Sequence, residues 1–176
     1  MIFVEVIFFK HKTAYEVSSC LVGSEMGIRV RNGEIRFKNF TGRAGQYNRE
    51  GDRSFAAVIS EEFVPMCLDA GWNVKSYVSK KTGDTIHYIT VKVSYNNSAP
   101  TIVQHAGADV INYDESMCWM LDNNILLNIG IVISPYHWNI NGKTGTSAYL
   151  NALHFELPRD YFADAYGAAD GDENPF

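Results

Sequence analysis

The stretch "ILLNIGIVISPYHWNINGKTGTSAYLNALHFEL", residues 125–157, contains two runs of strand-forming residues separated by a turn. Asn141-Gly142 lies between the two runs, and such a dipeptide between strands is a strong β-hairpin signal. Pro135 has no N–H to donate to a strand ladder, so we expect it to interrupt the first run. The stretch therefore predicts a long hairpin with Lys143 near its tip, in a fold built mainly from strands.

The two-residue period continues upstream of this hairpin. "KKTGD", residues 80–84, is a hairpin-like turn between two further runs. So many short strands favour a closed or partly closed barrel, because closure removes unpaired strand edges. The predicted strands are 35–40, 53–60, 72–79, 85–94 and 101–106, and the predicted short helices are 61–72 and 113–124.

Charge divides the chain by position. At 176 residues and 46% hydrophobic content, the chain is long enough for one globular domain with appendages. The formal net charge is −5, and most of the excess acid lies in residues 157–176, whereas residues 29–53 are basic. We therefore predict a domain over 28–157 and a flexible acidic tail over 158–176. A basic segment beside an acidic end is typical of proteins that bind polyanions.

Neither the cysteines nor the histidines are spaced for a metal site or a disulfide framework. "NGKTG" (141–145) lacks the first glycine of a phosphate-binding loop, since His137 occupies that position. No nucleophile and base can be paired by spacing. The sequence predicts a non-enzymatic protein without cofactor or metal, in a reducing, cytoplasmic setting without targeting or membrane segments.

Basic residues and aromatic residues alternate along the predicted strands. Single-stranded nucleic acid offers phosphates to neutralise and unpaired bases to stack on rings. The alternative is that the rings are core, which we expect for Phe37, Phe55 and Trp72. For Phe40 the period places ring and cation on one face, which disfavours burial. The candidate binding residues are Arg36, Lys38, Phe40, Arg43, Tyr47, Arg49, Arg53, Lys75, Tyr77, Tyr88, Lys92, Tyr136, Trp138 and Lys143.

Three separated blocks resemble a known family. "NFTGRAGQYNREGDRSFAAVI" (39–59), "DAGWNVK" (69–75) and "ISPYHWNINGKTGTSAYLNAL" (133–153) are similar to bacteriophage single-stranded-DNA-binding proteins. That resemblance implies an oligonucleotide-binding (OB) Greek-key barrel. It also implies sequence-tolerant binding of single-stranded DNA in phage replication or recombination.

The two ends of the chain carry resemblances of their own. "FFKHKTAYEVSSCLVGSEMGIR" (8–29) resembles a translated sequencing adapter, so we expect residues 1–27 to be a non-native extension; the alternative is a genuine strand and turn. "DGDENPF" (170–176) is similar to the acidic tip of bacterial single-stranded-DNA-binding proteins, which docks replication and repair enzymes. By that resemblance, the docking residues are Asp170, Asp172, Glu173, Pro175 and Phe176.

Two functions of different classes follow from these observations. The first is a protein that coats single-stranded DNA and recruits replication or recombination proteins through its tail. The second is a phage structural or assembly protein with a β-rich interaction domain and no affinity for nucleic acid. The sequence leaves a homo-oligomer open in both cases.

Overall fold

The computed structural model describes residues 5–10, 26–46, 48–96 and 98–158, with the backbone alone for 5–10 and 26–32. Two short helices, α1 (Val64–Asp69) and α2 (Cys118–Asn123), each follow a single 3-10 turn. The strands are β1 (Glu5–Lys10), β2 (Met26–Gly33), β3 (Ile35–Asn39), β4 (Ser54–Ile59), β5 (Val74–Val78), β6 (Thr85–Lys92), β7 (Thr101–Ala106), β8 (Asp109–Tyr113), β9 (Leu127–Ile140) and β10 (Lys143–Glu156).

Local sequence explains where both helices begin and end. Pro65 lies in the first turn of α1, where its missing N–H leaves no helical bond unmade. Gly71 follows α1 with φ of +81°, a conformation that favours glycine. Ahead of α2, the Asp114 carboxylate accepts hydrogen bonds from the backbone N–H groups of Ser116 and Met117. Both predicted helices are confirmed.

The described strands form one branched sheet. Its main path runs β1-β2-β9-β10-β6-β4-β3, while β5 pairs with β6, and β7 joins β10 to β8. The two parallel pairings are β10 with β6 and β10 with β7. No pairing joins β3 back to β1 among these strands. The mainly-β prediction is thus confirmed, and the pairings do not close the described sheet.

The predicted hairpin is the longest pairing in the sheet, with Lys143 opposite Ile140 at its tip. Asn141 and Gly142 have φ of +52° and +76°, as a two-residue turn with two left-handed positions requires. The expected interruption at Pro135 is wrong, because β9 is continuous and Pro135 pairs with Ala148. The other neighbour of β9, β2, ends its pairing at Ile133, so the missing N–H of Pro135 deprives no described strand of a partner.

One core lies under the sheet and the two helices. Phe40 stacks on Phe55, with ring centroids 5.3 Å apart, and α2 contributes Leu121. The largest fully buried side chains are Phe40, Phe55, Ile59, Ile89, Ile102, Leu121, Ile131, Ile133, Leu153 and Phe155. Apart from Phe40, which follows β3, and Leu121 of α2, they come from β6 and from strands on both sides of it, so the branched sheet packs on a single hydrophobic core.

The sequence did not predict β8, which forms a hairpin with β7. In the described residues, β1 pairs antiparallel with β2, and β2 continues onto β9 from Ile28. This pairing does not test whether residues 1–27 are a non-native extension, so that statement stays a prediction. None of the described helices has the length and apolar character needed to cross a membrane.

Candidate nucleic-acid interface

A continuous sheet face points away from the core, centred on β6. Ile89 and Val91 are buried, so Tyr88, Thr90 and Lys92 project from the opposite side of the strand. The strand register places side chains of β3, β5, β9 and β10 on that same side. We call this set the aromatic face; it comprises Arg36, Phe37, Lys75, Tyr77, Tyr88, Thr90, Lys92, Tyr136, Trp138 and Tyr149.

Phe37, Tyr77 and Tyr88 form an edge-to-face cluster at one end of the aromatic face. The ring centroids are 5.3 Å apart for Phe37 and Tyr77, and 5.9 Å apart for Tyr77 and Tyr88. The Arg36 guanidinium donates hydrogen bonds to the Glu34 carboxylate at 2.5 Å and to the Tyr77 hydroxyl at 2.8 Å. These bonds, that to Glu34 first, raise the pKa of Arg36. The cluster therefore holds Arg36, ion-paired with Glu34, beside the exposed ring of Phe37 and the half-buried rings of Tyr77 and Tyr88.

The sequence placed Phe37 in the core and Phe40 on the exposed basic face, and both placements are wrong. Phe37 has φ of +52°, and the register of β3 on β4 shifts between Arg36 and Asn39. This bulge reverses the two-residue alternation. As a result Phe37 is 64% exposed, while Phe40 is fully buried and unavailable for base stacking.

A second cluster lies on β9 and β10. Tyr136 and Tyr149 pack edge to face with centroids 5.8 Å apart, and Lys92 Nζ lies 5.8 Å from the centre of the Tyr149 ring. Between the two clusters, Lys75 Nζ donates to Thr90 Oγ1 at 3.3 Å. Rings and cations thus alternate across the sheet from β3 to β9.

Trp138 extends the second cluster toward the hairpin tip, and its position depends on Gly145. The two residues are cross-strand partners. A Cβ atom added at Gly145 would lie 2.4 Å from one indole carbon and 2.8 Å from another, closer than real Cβ contacts come. Trp138 therefore lies directly over the bare backbone of Gly145, which fixes the indole on the aromatic face.

The loop between β3 and β4, residues 40–53, borders the aromatic face and is tied down at its base. The Asp122 carboxylate accepts hydrogen bonds from the backbone N–H of Phe40 at 2.8 Å and of Thr41 at 3.0 Å. The Asn39 side chain donates to the Arg43 and Asp52 carbonyls. These hydrogen bonds hold the distal part of the loop beside the sheet, and Arg43 and Arg49 are exposed there. Tyr47 lies outside the described residues.

Lys38 has a structural role in this fold, which differs from the expected one. Its Nζ donates to the Leu121 carbonyl at 2.7 Å and to the Asn124 carbonyl at 2.5 Å. It thereby satisfies backbone carbonyls at the end of α2. Burial lowers the pKa of Lys38, and nearby Asp122 partly opposes that effect. An ammonium engaged in this way is not presented to a phosphate.

Arg53 is also engaged within the protein. Its guanidinium forms an ion pair with Glu115 at 2.6 Å and lies 5.2 Å above the centre of the Tyr95 ring. The Tyr95 hydroxyl is 2.8 Å from Cys118 Sγ. Burial first, and then this hydrogen bond, raises the pKa of Tyr95. These contacts hold the Arg53 side chain in place next to the aromatic face.

The structure brings together seven of the predicted residues on the aromatic face and separates others. Phe37 and Tyr149 belong to the face although the sequence argument did not select them. The tyrosine could have been found from the hairpin register, because Tyr149 is two residues from Ser147, the partner of Tyr136. Lys143 is exposed at the hairpin tip. The seven predicted residues on the face are Arg36, Lys75, Tyr77, Tyr88, Lys92, Tyr136 and Trp138.

The predicted docking residues of the tail, 170–176, lie outside the described residues. Within the described ranges, no group of three or more His, Cys, Asp or Glu side chains is placed to hold a metal ion.

The sequence matches a family model with the description "Putative phage ssDNA-binding domain" over residues 23–173. The chain belongs to this phage ssDNA-binding domain family. None of the curated proteins matches the chain.

Solved structures of a bacteriophage protein share the fold. The single-stranded DNA-binding protein from bacteriophage Enc34, with a C-terminal truncation, aligns with a TM-score of 0.52 at 10% identity, over 87% of this chain and 96% of that one. The same protein in complex with ssDNA aligns with a TM-score of 0.51 at 10% identity, over 84% and 98%. This likeness confirms the predicted fold class, a mainly-β fold shared with a phage single-stranded-DNA-binding protein.

Proposed function

We propose that the chain binds single-stranded DNA across the aromatic face, without strong sequence preference, during phage DNA replication or recombination. The observation that carries this proposal is the alternation of rings and cations over one continuous face. Membership of the phage ssDNA-binding domain family supports it. The setting is the cytoplasm of the host cell.

The geometry of the face suits an unpaired strand. Tyr88 on β6 and both Tyr136 and Trp138 on β9 present three rings on one face, so successive bases can stack on successive rings. Base stacking on an aromatic ring contributes about 1–3 kcal/mol per base. Lys75 and Lys92 lie between the rings, where the phosphates linking those bases would run. Because every base has a π-face, such a surface tolerates any sequence.

The tail belongs to the same proposal. Its similarity to the tip of bacterial single-stranded-DNA-binding proteins supports docking of replication or recombination proteins by Asp170, Asp172, Glu173, Pro175 and Phe176. Pro175 limits the backbone entropy lost on binding, and Phe176 can fill an apolar pocket with acids facing a basic rim. We assign binding of DNA to residues 28–157 and recruitment to residues 158–176.

The test is a fluorescence anisotropy titration of labelled oligo-dT at about 50 and 200 mM salt. We expect affinity to fall steeply with salt, and Lys75→Ala and Lys92→Ala each to reduce the slope of log K against log [salt] by about 0.7. Lys80→Ala, which removes a lysine from the β5–β6 turn, is the matched control and should leave the slope unchanged. Absence of binding at low salt would overturn the proposal.

One observation favours the second candidate function, a structural or assembly protein. Val110 and Ile111 on β8 are 57% and 41% exposed, and β8 pairs only with β7 among the described strands. Neighbouring residues of a strand point to opposite faces, so this hairpin exposes apolar side chains on both sides. A protein that ignores oligo-dT but assembles through β8 would fit that function.

A further inference from the structure

A cleft of about 570 Å³ adjoins the aromatic face. Thr90, Lys92 and Tyr149 of the aromatic face line one side of it. The β3–β4 loop, through Asn48 and Asp52, lines another side. Its volume lies within the range of small-molecule sites, and it opens beside Tyr149, so a base of a strand lying on the aromatic face can turn into it.

The walls of the cleft are held in place by internal contacts. Arg53 is fixed by Glu115 and Tyr95, as described above. The Asp52 carbonyl accepts a hydrogen bond at 3.1 Å from Asn39, and the Gly51 N–H donates to the Gly42 carbonyl at 2.8 Å. The position of Asp52 is therefore fixed through its backbone, and its side chain stays exposed at the cleft.

The chemistry of the lining suits a base and not a phosphate. Two carboxylates, Asp52 and Glu115, line the cleft together with two cations, Arg53 and Lys92. Arg53 is already paired with Glu115. Asp52 would repel a phosphate, whereas its two oxygens can accept N–H groups from a base edge.

Resting on the proposed function, we propose that this cleft takes one base of the bound strand and prefers guanine, with Asp52 as the residue that selects it. Guanine presents N1–H and N2–H₂ side by side, so one carboxylate can accept from both. Thymine presents a single N–H between two carbonyl oxygens, and those two oxygens repel a carboxylate. Cytosine and adenine each offer only an amino group beside a ring acceptor. The preference is modest and adds to sequence-tolerant stacking.

Competition binding tests this assignment. Unlabelled dT oligonucleotides of one length, carrying a single central dG, dC or dA or none, displace a labelled dT oligonucleotide from the full chain. We expect the dG strand to compete about five-fold more tightly than the all-dT strand, the low end for a bidentate base contact. Asp52→Asn should reduce this advantage to less than about two-fold. The side chain is exposed and its backbone contact is kept, so the variant should melt like the parent.

Asp69→Asn is the matched control, because it removes one exposed acid from α1, away from the cleft, and should keep the dG advantage. Binding of dT with no dG advantage, or a dG advantage that survives Asp52→Asn, overturns the guanine assignment alone. A larger advantage for dC or dA overturns it as well. Failure to bind any strand overturns the proposed function and this assignment with it.

Discussion

Gly145→Ala moves a ring of the aromatic face without removing it. The new Cβ would lie 2.4, 2.8 and 3.1 Å from three carbons of the Trp138 indole, so the indole must shift by about 1 Å or more to restore an ordinary contact of at least about 3.4 Å. The backbone of Gly145 does not require a positive φ. Alanine should therefore fit the strand while displacing Trp138.

If Trp138 stacks a base in its present position, displacing it should cost much of one stacking interaction. One stack is about 1–3 kcal/mol, which corresponds to a rise in Kd of about 5- to 150-fold. Anisotropy of labelled oligo-dT measures Kd, and the tryptophan emission spectrum reports whether the indole has moved. Gly45→Ala is the control, since nothing lies within 4 Å of a Cβ there and φ is not positive. A shifted emission spectrum with unchanged Kd would refute the role of Trp138.

The remaining predictions concern the tail, the N-terminal segment and the core. Deleting Asp170–Phe176 should tighten DNA binding modestly at low salt, because the acids no longer compete for the basic residues, and should abolish pull-down of a replication or recombination partner. Phe176→Ala should leave the Kd for DNA unchanged and weaken the pull-down. If Phe176→Ala leaves partner binding intact, the docking role is contradicted. A variant beginning at Ile28 should melt and bind DNA like the full chain, because β1 pairs only with β2 among the described strands; a large drop in Tm would show instead that β1 is a native strand. Burial raises the pKa of Cys67 from 9.0 to about 11, so the folded state keeps this proton longer than the unfolded state and stability falls as pH rises from 9 to 11. Cys67→Ala should lose about 2 kcal/mol less over that interval, measured by urea unfolding at each pH. Equal losses would contradict the burial argument.

Much of the fold follows from local sequence signals. The turns at 80–84 and 141–142 join strands as expected, because Gly83 and Gly142 supply the positive φ these turns need. The helix ends at Gly71 and the cap at Asp114 are equally local. Such features depend on a few neighbouring residues, so a sequence reveals them directly.

What the sequence could not reveal depends on register. A single bulge in β3 exchanged the environments of Phe37 and Phe40, and no local pattern marks it. Lys38 and Arg53 look like surface bases, yet they bind α2 and Glu115, which are distant in sequence. The hairpin register places Tyr149 on the same side as Tyr136, but its position beside Lys92 depends on the long-range pairing of β10 with β6. Side chains that meet through long-range pairing were therefore the ones misplaced or missed.

Photo-cross-linking tests the central claim, binding across the aromatic face, most directly. An oligo-dT containing 5-iododeoxyuridine would be irradiated with the full chain at low salt, and the cross-linked residues identified by mass spectrometry. We predict cross-links at Tyr77, Tyr88, Tyr136, Trp138 and Tyr149. Cross-links confined to aromatic residues elsewhere, such as exposed Trp119 on α2 or the stacked pair His105 and His154 on β7 and β10, would contradict the account.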